Sequence, residues 1–375
     1  MALSEVQLPR EPMDILEQVC AKVETVSLHK YTSYWNCLTR LFSPMALQAA
    51  YYFSSAMQKK ITTLLATGQF DVLHVEHIQA SAVVPERCHL PTVFDAVDCI
   101  TALYAQFAQQ KPAFPARLLS KLERSKLSAY EPRVARRFNR VVVTSETEKE
   151  ALLGLDPCLR VEVIPNGVDL EYFTPSRLCS TPTLMLSGKM SYYANEAAAV
   201  FFCQQILPLI REQLPETTVL IAGSNPSKAV QRLAWRSNVQ TTGYVSDLRP
   251  VFQRARVVVC PLVVGAGVQN KVLEAMAMGK PVIATPKACQ ALSVINGRHL
   301  LVADDPRAFA KAVVRLLTDD DLAVRLGQAG RRYVEAHHAW AEKAMALERV
   351  YEEAQEVYQK PNYTQLDDMH KRQRR

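Results

Sequence analysis

Short apolar runs alternate along the chain with longer segments of helical periodicity. The runs are rich in β-branched residues and apolar on both faces, as in strands buried within a parallel sheet. Strands that alternate with helices predict an α/β protein with Rossmann-like layers. The predicted strands cover residues 23–28, 70–75, 92–95, 140–144, 161–164, 183–187, 219–222, 239–242, 257–260, 281–285 and 300–302.

The series of strands starts again after a Pro-Asn-Gly-Val-Asp turn at residues 165–169. We therefore expect an N-terminal Rossmann-like domain over residues 1–168 and a second domain over residues 169–340. A long helix over residues 341–359 follows. The polar, basic tail 360–375 is expected to be disordered.

The start of the N-terminal half lacks a feature that a Rossmann-like layer normally has. The first glycine of the chain is Gly68, so no apolar strand with a glycine-rich turn opens this half. We expect the N-terminal domain to lack its first strand and glycine loop, either because the gene model begins late or because the unit has been lost. A sheet edge and apolar helix faces would then be exposed.

The most informative stretch is the strand, loop, helix and strand between residues 257 and 286. Glycines such as Gly265 and Gly267 let the backbone approach a ligand, and the N–H groups of the next helix point into the same space. Lys271 in the first helical turn is unfavourable for the helix alone, but a bound phosphate would explain it. Glu274 lies one turn later on the same face, where its carboxylate can accept hydrogen bonds from sugar hydroxyl groups. The alternative is a plain turn with a surface Lys–Glu pair.

This stretch resembles the nucleotide-sugar signature of the family 4 retaining glycosyltransferases. That family has the GT-B fold, in which two Rossmann-like domains face each other across a cleft. The late glutamate of the signature binds the ribose, and the resemblance gives this role to Glu274. The early glutamate, which contacts the transferred sugar, is absent, because Ala266 stands at that position. The matching residues are Glu274, Ala275, Met276, Ala277, Gly279, Pro281 and Val282.

The resemblance extends to the rest of a donor-binding site. It implies that the loop with Gly188 and Lys189 faces the diphosphate, and that Gly243 to Val245 lie beside the base. Asn195 stands where the family has a lysine, so we expect Lys271 to supply that charge. We also expect Asn195 to cap a helix over residues 196–206. The predicted donor-binding residues are Gly188, Lys189, Asn195, Gly243, Tyr244, Val245, Gly265, Ala266, Gly267, Val268, Lys271 and Glu274.

The N-terminal half contributes two further candidates. Residues 71–77 resemble a strand of the family whose second histidine lies near the donor sugar; here Glu76 occupies that position and His77 follows it. We predict Glu76, His77, Lys189 and Lys271 as catalytic residues. The resemblance implies a retaining transfer in which cations and helix N-termini stabilise the leaving diphosphate. It implies no metal, since no Asp-x-Asp motif is present, and no cofactor besides the UDP- or GDP-linked sugar that is the substrate.

Composition excludes several other classes of protein. Of the 375 residues, 49% are hydrophobic and 22% are charged, which is ordinary for a globular protein. No apolar run approaches the roughly 20 residues of a membrane span. The nine cysteines are scattered without metal-binding or disulfide spacing, which is typical of a reducing, cytoplasmic compartment.

The net charge of +7 is concentrated in residues 111–140, where nine Lys and Arg oppose Glu123 and Glu131. Leucines at 118, 119 and 122 give this segment an apolar side, as in helices that lie on an anionic membrane. We favour this interpretation over a solvated helix face or a nucleic-acid site. The predicted membrane or acceptor patch consists of Arg117, Lys121, Arg124, Lys126, Arg136 and Arg137.

We therefore predict a glycosyltransferase that moves a sugar from a nucleotide-sugar to a glycan or lipid-linked acceptor. The resemblance is closest to the exopolysaccharide and PEP-CTERM-associated sugar transferases, and it implies a terminal helix that crosses back to the N-terminal domain. The basic patch predicts a position at the inner face of the plasma membrane. Two alternatives stay open: a truncated or inactive GT-B scaffold protein, and a nucleotide-sugar epimerase.

Overall fold

The computed structural model describes residues 2–4, 10–86, 88–109, 116–265 and 268–359. The chain forms two compact units. The first comprises Met1–Val143, Glu148–Val163 and Leu347–Arg375. The second comprises Thr144–Thr147 and Ile164–Ala346. The predicted tail 360–375 lies outside the described residues.

The strands form three sheets in which every strand pair is parallel. In chain order they are β1 Ala2–Ser4, β2 Thr25–Ser27, β3 Leu73–Glu76, β4 Thr92–Val97, β5 Arg140–Val143, β6 Val161–Val163, β7 Thr183–Ser187, β8 Thr218–Ala222, β9 Val239–Gly243, β10 Val257–Cys260, β11 Val282–Ala284 and β12 Leu301–Val302. Each strand predicted from the sequence is present, with bounds that shift by a few residues. The parallel α/β architecture is confirmed.

Helices connect nearly all of these strands. They are α1 Arg10–Val19, α2 Lys30–Thr39, α3 Leu47–Tyr51, α4 Ser55–Leu65, α5 His77–Ala80, α6 Ile100–Gln109, α7 Ala116–Ala135, α8 Glu146–Leu155, α9 Tyr193–Phe201, α10 Leu207–Arg211, α11 Lys228–Leu233, α12 Arg249–Arg254, α13 Asn270–Ala277, α14 Pro286–Cys289, α15 Pro306–Thr318, α16 Asp320–His337 and α17 Trp340–Gln359. A 3-10 turn, Ser81–Val83, follows α5, and a π-helical turn, Phe202–Ile206, joins α9 to α10. Among the described residues, every helix is too short or too polar to span a bilayer.

The first unit contains two of the sheets. The larger has the strand order β3-β4-β5-β6, and the smaller consists of β1 and β2.

Two buried glutamates on α7 accept hydrogen bonds from backbone N–H groups of other helices. Glu123 accepts from Leu47 of α3 (2.8 Å), and Glu131 accepts from Ile100 of α6 (2.8 Å). A carboxylate at a helix N-terminus stabilises the unpaired N–H groups there. The only acidic residues of the basic segment are therefore used inside the unit.

The second unit is built on one sheet with the order β12-β11-β10-β7-β8-β9. Its central strands β7 and β10 are buried along their whole length, which explains their continuous apolar sequence. Strand β7 is the first strand of this unit, and its neighbours β8 and β10 belong to the two halves of the sheet. The order of strands therefore reverses at β7. In open α/β sheets, ligands bind at the carboxyl ends of the strands at such a point.

The turn at residues 165–169 is fixed by residues near the start of α17. Val168 pairs with Ala339, and the carbonyl of Asn166 contacts Nδ1 of His338 at 2.8 Å. A Cβ atom on Gly167 would lie 2.6 Å from the ring of Trp340, so a larger residue here would displace that ring. The Asn-Gly sequence is thus explained by close packing as well as by the turn.

Candidate functional site

A pocket of about 390 Å³ lies in the second unit, where β7, β8 and β9 end. The first turn of α13 forms another wall. This is the position at which the strand order reverses, where an α/β sheet is expected to bind its ligand. The lining residues are Ser187, Gly188, Lys189, Tyr192, Asn195, Ala222, Gly223, Ser224, Tyr244, Val245, Leu248, Val268, Gln269, Asn270, Lys271 and Glu274.

Two glycines let the chain approach itself closely at the floor of the pocket. Gly223 has a φ of +155°, and a Cβ atom there would lie 1.7 Å from the carbonyl oxygen of Gly188. Gly188 has a φ of +139°, and its Cβ would lie 2.6 Å from Nδ2 of Asn195. Side chains at these positions would collide with backbone or with a residue of the site. The turns after β7 and β8 therefore present bare backbone to the pocket.

Asn195 connects the two lysines of the pocket. Its Nδ2 donates to the carbonyl of Lys189 at 3.1 Å, and its Oδ1 accepts a hydrogen bond from the ammonium of Lys271. The prediction that Asn195 caps a helix over residues 196–206 is wrong. The helix α9 begins at Tyr193 after the N-cap Tyr192, because the chain turns earlier, and Asn195 is left free to reach across to α13.

The N-terminus of α13 brings charge and backbone donors to the same place. Asn270 and Lys271 are the first residues of this helix, and both line the pocket. Asn270 is held by a hydrogen bond of 2.9 Å from the side chain of Asn166. The N–H groups of a first helical turn and an adjacent ammonium together favour an anionic ligand.

Glu274 lies one turn farther along α13 and also lines the pocket. Burial raises the pKa of its carboxyl, and the nearby charge of Lys271 opposes that rise only in part. The side-chain carboxylate of Glu274 forms no hydrogen bond and no ion pair with any described residue. Its oxygens are therefore available to a ligand that brings hydroxyl donors.

Sequence reasoning missed some lining residues, of which Ser187, Gly223 and Ser224 are the most informative. Ser187 ends β7 and is 4% exposed, yet its Oγ has no hydrogen-bond partner among the described residues. A buried hydroxyl without a partner beside a pocket is a group whose hydrogen bond a native structure is expected to account for. The signal was available in principle, because all three residues end or follow a predicted strand at the ligand-binding edge of the sheet.

The pocket does not include all predicted donor-binding residues. Gly243 does not line the pocket. Its carbonyl accepts a hydrogen bond of 3.2 Å from the N–H of Gly223, which is a lining residue. Gly265 has a φ of +136° but does not line the pocket. Ala266 and Gly267 lie outside the described residues.

Glu76 and His77 belong to the first unit, at the carboxyl end of β3. Both are largely exposed, and Nε2 of His77 lies 3.7 Å from Oε1 of Glu76. His77 has a φ of +66°, which is uncommon for a residue with a side chain and is often found at functional sites. Next to them, Nδ1 of His74 contacts the hydroxyl of Tyr351 at 3.1 Å. They line a second cavity, not the pocket of the second unit.

The predicted basic patch is smaller than expected. The ammonium of Lys126 donates to the carbonyls of Arg40 (3.1 Å), Ser43 (2.8 Å) and Met45 (3.2 Å), directly after α2. Arg137 donates to two other carbonyls near α5. These two cations are corrected from surface charges to internal contacts, because carbonyls of the loops after α2 and after the 3-10 turn accept their hydrogen bonds.

The remaining patch residues differ among themselves. Arg136 is paired with the buried Asp156, and the side chain of Arg117 lies outside the described residues. Lys121 and Arg124 are exposed on α7. Exposed leucines at 118, 119 and 122 lie on the same half of this helix. What remains of the patch is therefore a short basic and apolar surface at the start of α7.

Two family descriptions match the chain, one for each half. Residues 28–172 match Glycosyltransferase Family 4, and residues 181–319 match the Glycosyl transferases group 1. With the two parallel sheets and the pocket at the reversal of strand order, these matches identify the chain as a glycosyltransferase of the GT-B fold.

The chain is also similar to individual proteins that are named as glycosyltransferases. The chain is 26% identical over 330 residues to a D-inositol 3-phosphate glycosyltransferase of Salinispora arenicola, covering 78% of this chain and 71% of that protein. It is 29% identical over 231 residues to a GDP-mannose-dependent alpha-(1-6)-phosphatidylinositol monomannoside mannosyltransferase of Mycobacterium tuberculosis, covering 55% and 59% of the two chains. The chain thus spans less than two thirds of the second relative.

A solved structure shows the same fold. The HepE protein of Anabaena in complex with UDP superposes with a TM-score of 0.66 and 14% identity, covering 90% of this chain and 88% of that chain. At this identity the likeness concerns the fold alone.

Proposed function

We propose that this chain transfers a sugar from a nucleotide-sugar donor to an acceptor with retention of configuration. The observation that carries the proposal is the pocket of the second unit. It joins two lysines, the N-terminus of α13 and the carboxylate of Glu274 at one edge of the sheet. Cations and helix N–H groups suit a diphosphate, and a carboxylate without a partner suits ribose hydroxyls.

Each residue then has a role in the departure of the nucleotide. Lys271, held by Asn195, and Lys189 stabilise the negative charge that develops on the diphosphate, together with the first N–H groups of α13. Glu274 accepts hydroxyl donors of the ribose. The acceptor hydroxyl is proposed to enter from the face that the diphosphate leaves, so that its bond to the sugar replaces the bond to the diphosphate and no residue of the protein attacks the sugar. Glu76 and His77 are proposed to act on the sugar or the acceptor from the first unit.

The acceptor is proposed to be lipid-linked and to be met at an anionic membrane surface. Lys121, Arg124 and the exposed leucines of α7 provide cations beside apolar side chains. Trp35, exposed by 65%, lies within α2, and Phe42, exposed by 98%, lies just after it. The contacts of Lys126 tie α7 to this same end of α2. Aromatic rings, leucines and cations together are typical of surfaces that enter the membrane interface.

The biological context follows from the same surface and from the relatives. Two of the similar proteins are named for lipid acceptors, one a mannosyltransferase of phosphatidylinositol monomannoside and the other a phosphatidyl-myo-inositol mannosyltransferase. We propose a role in the cytoplasm, at the inner face of the plasma membrane, in the assembly of exopolysaccharide or another cell-surface glycan. The donor is proposed to be a UDP- or GDP-linked sugar.

The first test is a calorimetric titration of the purified chain with UDP, GDP and their sugars. We expect binding of one nucleotide, and loss of this binding in Glu274→Ala. Turnover of the bound donor with an acceptor supports transfer, and release of an epimer without acceptor supports an epimerase instead. Binding without any turnover favours a binding protein, for which Ala266 in place of the early glutamate is a specific indication. A folded chain that binds no nucleotide contradicts the proposal.

A further inference from the structure

The turn at residues 165–169 contacts the pocket of the second unit through one side chain. Nδ2 of Asn166 donates a hydrogen bond of 2.9 Å to Oδ1 of Asn270, which lines the pocket. The two residues are 104 positions apart in the chain, so the contact is a product of the fold. Asn166 therefore joins the segment that leads into the second unit to the residue that begins α13.

The start of α13 needs such a contact because its N-cap residue supplies none. This residue is Gln269, whose side chain makes no capping hydrogen bond. The first N–H groups of a helix have no partner within the helix, and a side-chain cap normally satisfies one of them. The helix thus keeps its first donors free of a cap from Gln269, while Asn270 is held from outside the helix by Asn166.

The backbone of Asn166 is itself held by the junction of α16 and α17. Its carbonyl lies 2.8 Å from Nδ1 of His338, and a carbonyl oxygen only accepts, so Nδ1 carries the proton. His338 is 3% exposed, and its Nε2 contacts the hydroxyl of Tyr333 at 3.3 Å. The N–H of Val168 donates to the carbonyl of His338 at 2.7 Å. Asn166 therefore reaches Asn270 from a turn that is fixed at two points.

The bond between the two asparagines acts on geometry more than on stability. It is exposed to solvent, where water competes for both groups and the net gain in stability is small. The next residues of the helix, Val272 and Leu273, are fully buried and anchor the rest of α13. Loss of the Asn166 side chain would therefore free only the first residues of the helix, which include Lys271.

We propose that Asn166 is a positioning residue for the donor, which holds the N-terminus of α13 where this helix meets the diphosphate of a nucleotide-sugar. This inference rests on the proposed function, because it requires a diphosphate in the pocket. Asn166 does not line the pocket and acts through Asn270. Glu274 follows the buried anchor of the helix, so the contact to the ribose does not depend on Asn166.

The test is nucleotide binding by Asn166→Ala. Asn166 has an ordinary negative φ, so alanine is compatible with the turn. UDP and GDP are titrated by calorimetry, and uridine and guanosine by NMR. We expect the affinity for the bound diphosphate to fall about fivefold, whereas the affinity for the matching nucleoside stays within about twofold. Gln240→Ala removes another exposed side-chain hydrogen bond of the second unit, the bond from Arg254, and should change neither affinity.

A double-variant cycle with Asn270→Ala tests whether Asn166 acts through its partner. If it does, the double variant binds the diphosphate about as weakly as Asn270→Ala alone. Three results would overturn the inference while nucleotide binding itself stands: unchanged diphosphate affinity in Asn166→Ala, equal losses for diphosphate and nucleoside, or fully additive losses in the double variant. An unmodified chain that binds neither UDP nor GDP would instead contradict the proposed function and, with it, the positioning role.

Discussion

The two units differ in where their cavities lie relative to the strands of their sheets. In the second unit, β7 and β10 are flanked on both sides, and the pocket forms where the order of strands reverses. In the first unit, β3 is the edge strand of its sheet among the described residues, a cavity lies beside it, and large apolar side chains such as Phe42 are exposed. A pocket at the reversal of strand order can position a small charged ligand, whereas a cavity beside an edge strand and exposed aromatic side chains are features of a surface that meets larger partners.

The largest expected effect concerns the close approach of the two turns in the second unit. Gly223→Ala would place a Cβ atom 1.7 Å from the carbonyl of Gly188, and backbone atoms cannot yield by that much. We expect a loss of about 4 kcal/mol or more in the free energy of unfolding, measured by urea denaturation.

The matched control for this change is Gly243→Ala. Gly243 also has positive φ, +68°, but nothing lies within 4 Å of a Cβ atom there. Only the left-handed backbone conformation is unfavourable for an alanine there, so we expect the free energy of unfolding to fall by about 1–2 kcal/mol. Equal effects of the two substitutions would show that the chain around Gly223 and Gly188 is not packed as tightly as the distance between them indicates.

The next effect concerns the charge of the pocket. Lys271→Ala removes the ammonium at the N-terminus of α13, and we expect nucleotide affinity to fall about a hundredfold, since charge-assisted contacts to phosphate are strong. The measurement is the same calorimetric titration. The control is Lys228→Ala, an exposed lysine of the second unit outside the pocket. If Lys271→Ala and the control bind nucleotide with similar affinity, Lys271 does not contribute to nucleotide binding.

A smaller loss is expected when Lys271 remains but its support is removed. Asn195→Ala deletes the hydrogen bond to Lys271, so the ammonium is no longer held in place. We expect a fall of about five- to tenfold in nucleotide affinity. The double variant Asn195→Ala and Lys271→Ala should then be little worse than Lys271→Ala alone, because the asparagine acts through the lysine. Fully additive effects would indicate a direct contact between Asn195 and the ligand.

The surface of the first unit should respond to lipid charge. We expect Lys121→Glu together with Arg124→Glu to reduce binding to phosphatidylglycerol vesicles several-fold, since each cation near such a surface adds about 1 kcal/mol. Sedimentation with vesicles at low and high salt measures this, and added salt should weaken the binding of the unmodified chain. Lys311→Glu with Arg325→Glu changes the same charge on exposed residues of the second unit. If both pairs lose binding equally, the patch is not specific.

The smallest effect is a pH dependence of stability. The pKa of Glu274 is raised by burial in the folded chain, so the folded state binds the proton more tightly than the unfolded state does. The contribution of Glu274 to stability is therefore fully present below its unfolded pKa and is lost as the pH rises through its folded pKa. Glu274→Gln should raise Tm by a few degrees at pH 7.

That gain should shrink as the pH falls below about 4, where the carboxyl is protonated in both states. Thermal unfolding from pH 3.5 to 7.5 without nucleotide tests it. A difference in Tm between the two chains that does not change with pH would show that the pKa of Glu274 is not raised. Since the same variant should bind nucleotide poorly, it would separate the stability of the pocket from its function.

Much of the second unit was predictable from the sequence. The strand at residues 257–260 was predicted with the bounds that the structure gives, and Lys271 does lie in the first turn of the helix that follows. Buried parallel strands and glycine turns leave strong local patterns, because each position must be apolar or must accept positive φ. The pairing of Lys271 with Asn195 was not predictable, since it joins residues 76 positions apart in the chain.

The basic segment shows the opposite case. Its charge was visible in the sequence, but the partners of Lys126, Arg136 and Arg137 were not. Loop carbonyls after α2 and after the 3-10 turn, together with one buried aspartate, accept hydrogen bonds from these cations. A count of charges predicts a patch only where the folded chain offers no internal acceptor.

The sequence by itself determined the parallel α/β architecture and the presence of Lys271 and Glu274 on one helical face, because both depend on local periodicity and spacing. Only the tertiary structure decided that Asn195 holds Lys271, that Ser187 lines the pocket without a partner, and that a cavity lies beside the edge strand β3. The reason is physical: strand order and side-chain contacts depend on which distant segments pair, and no local pattern of residues records that choice.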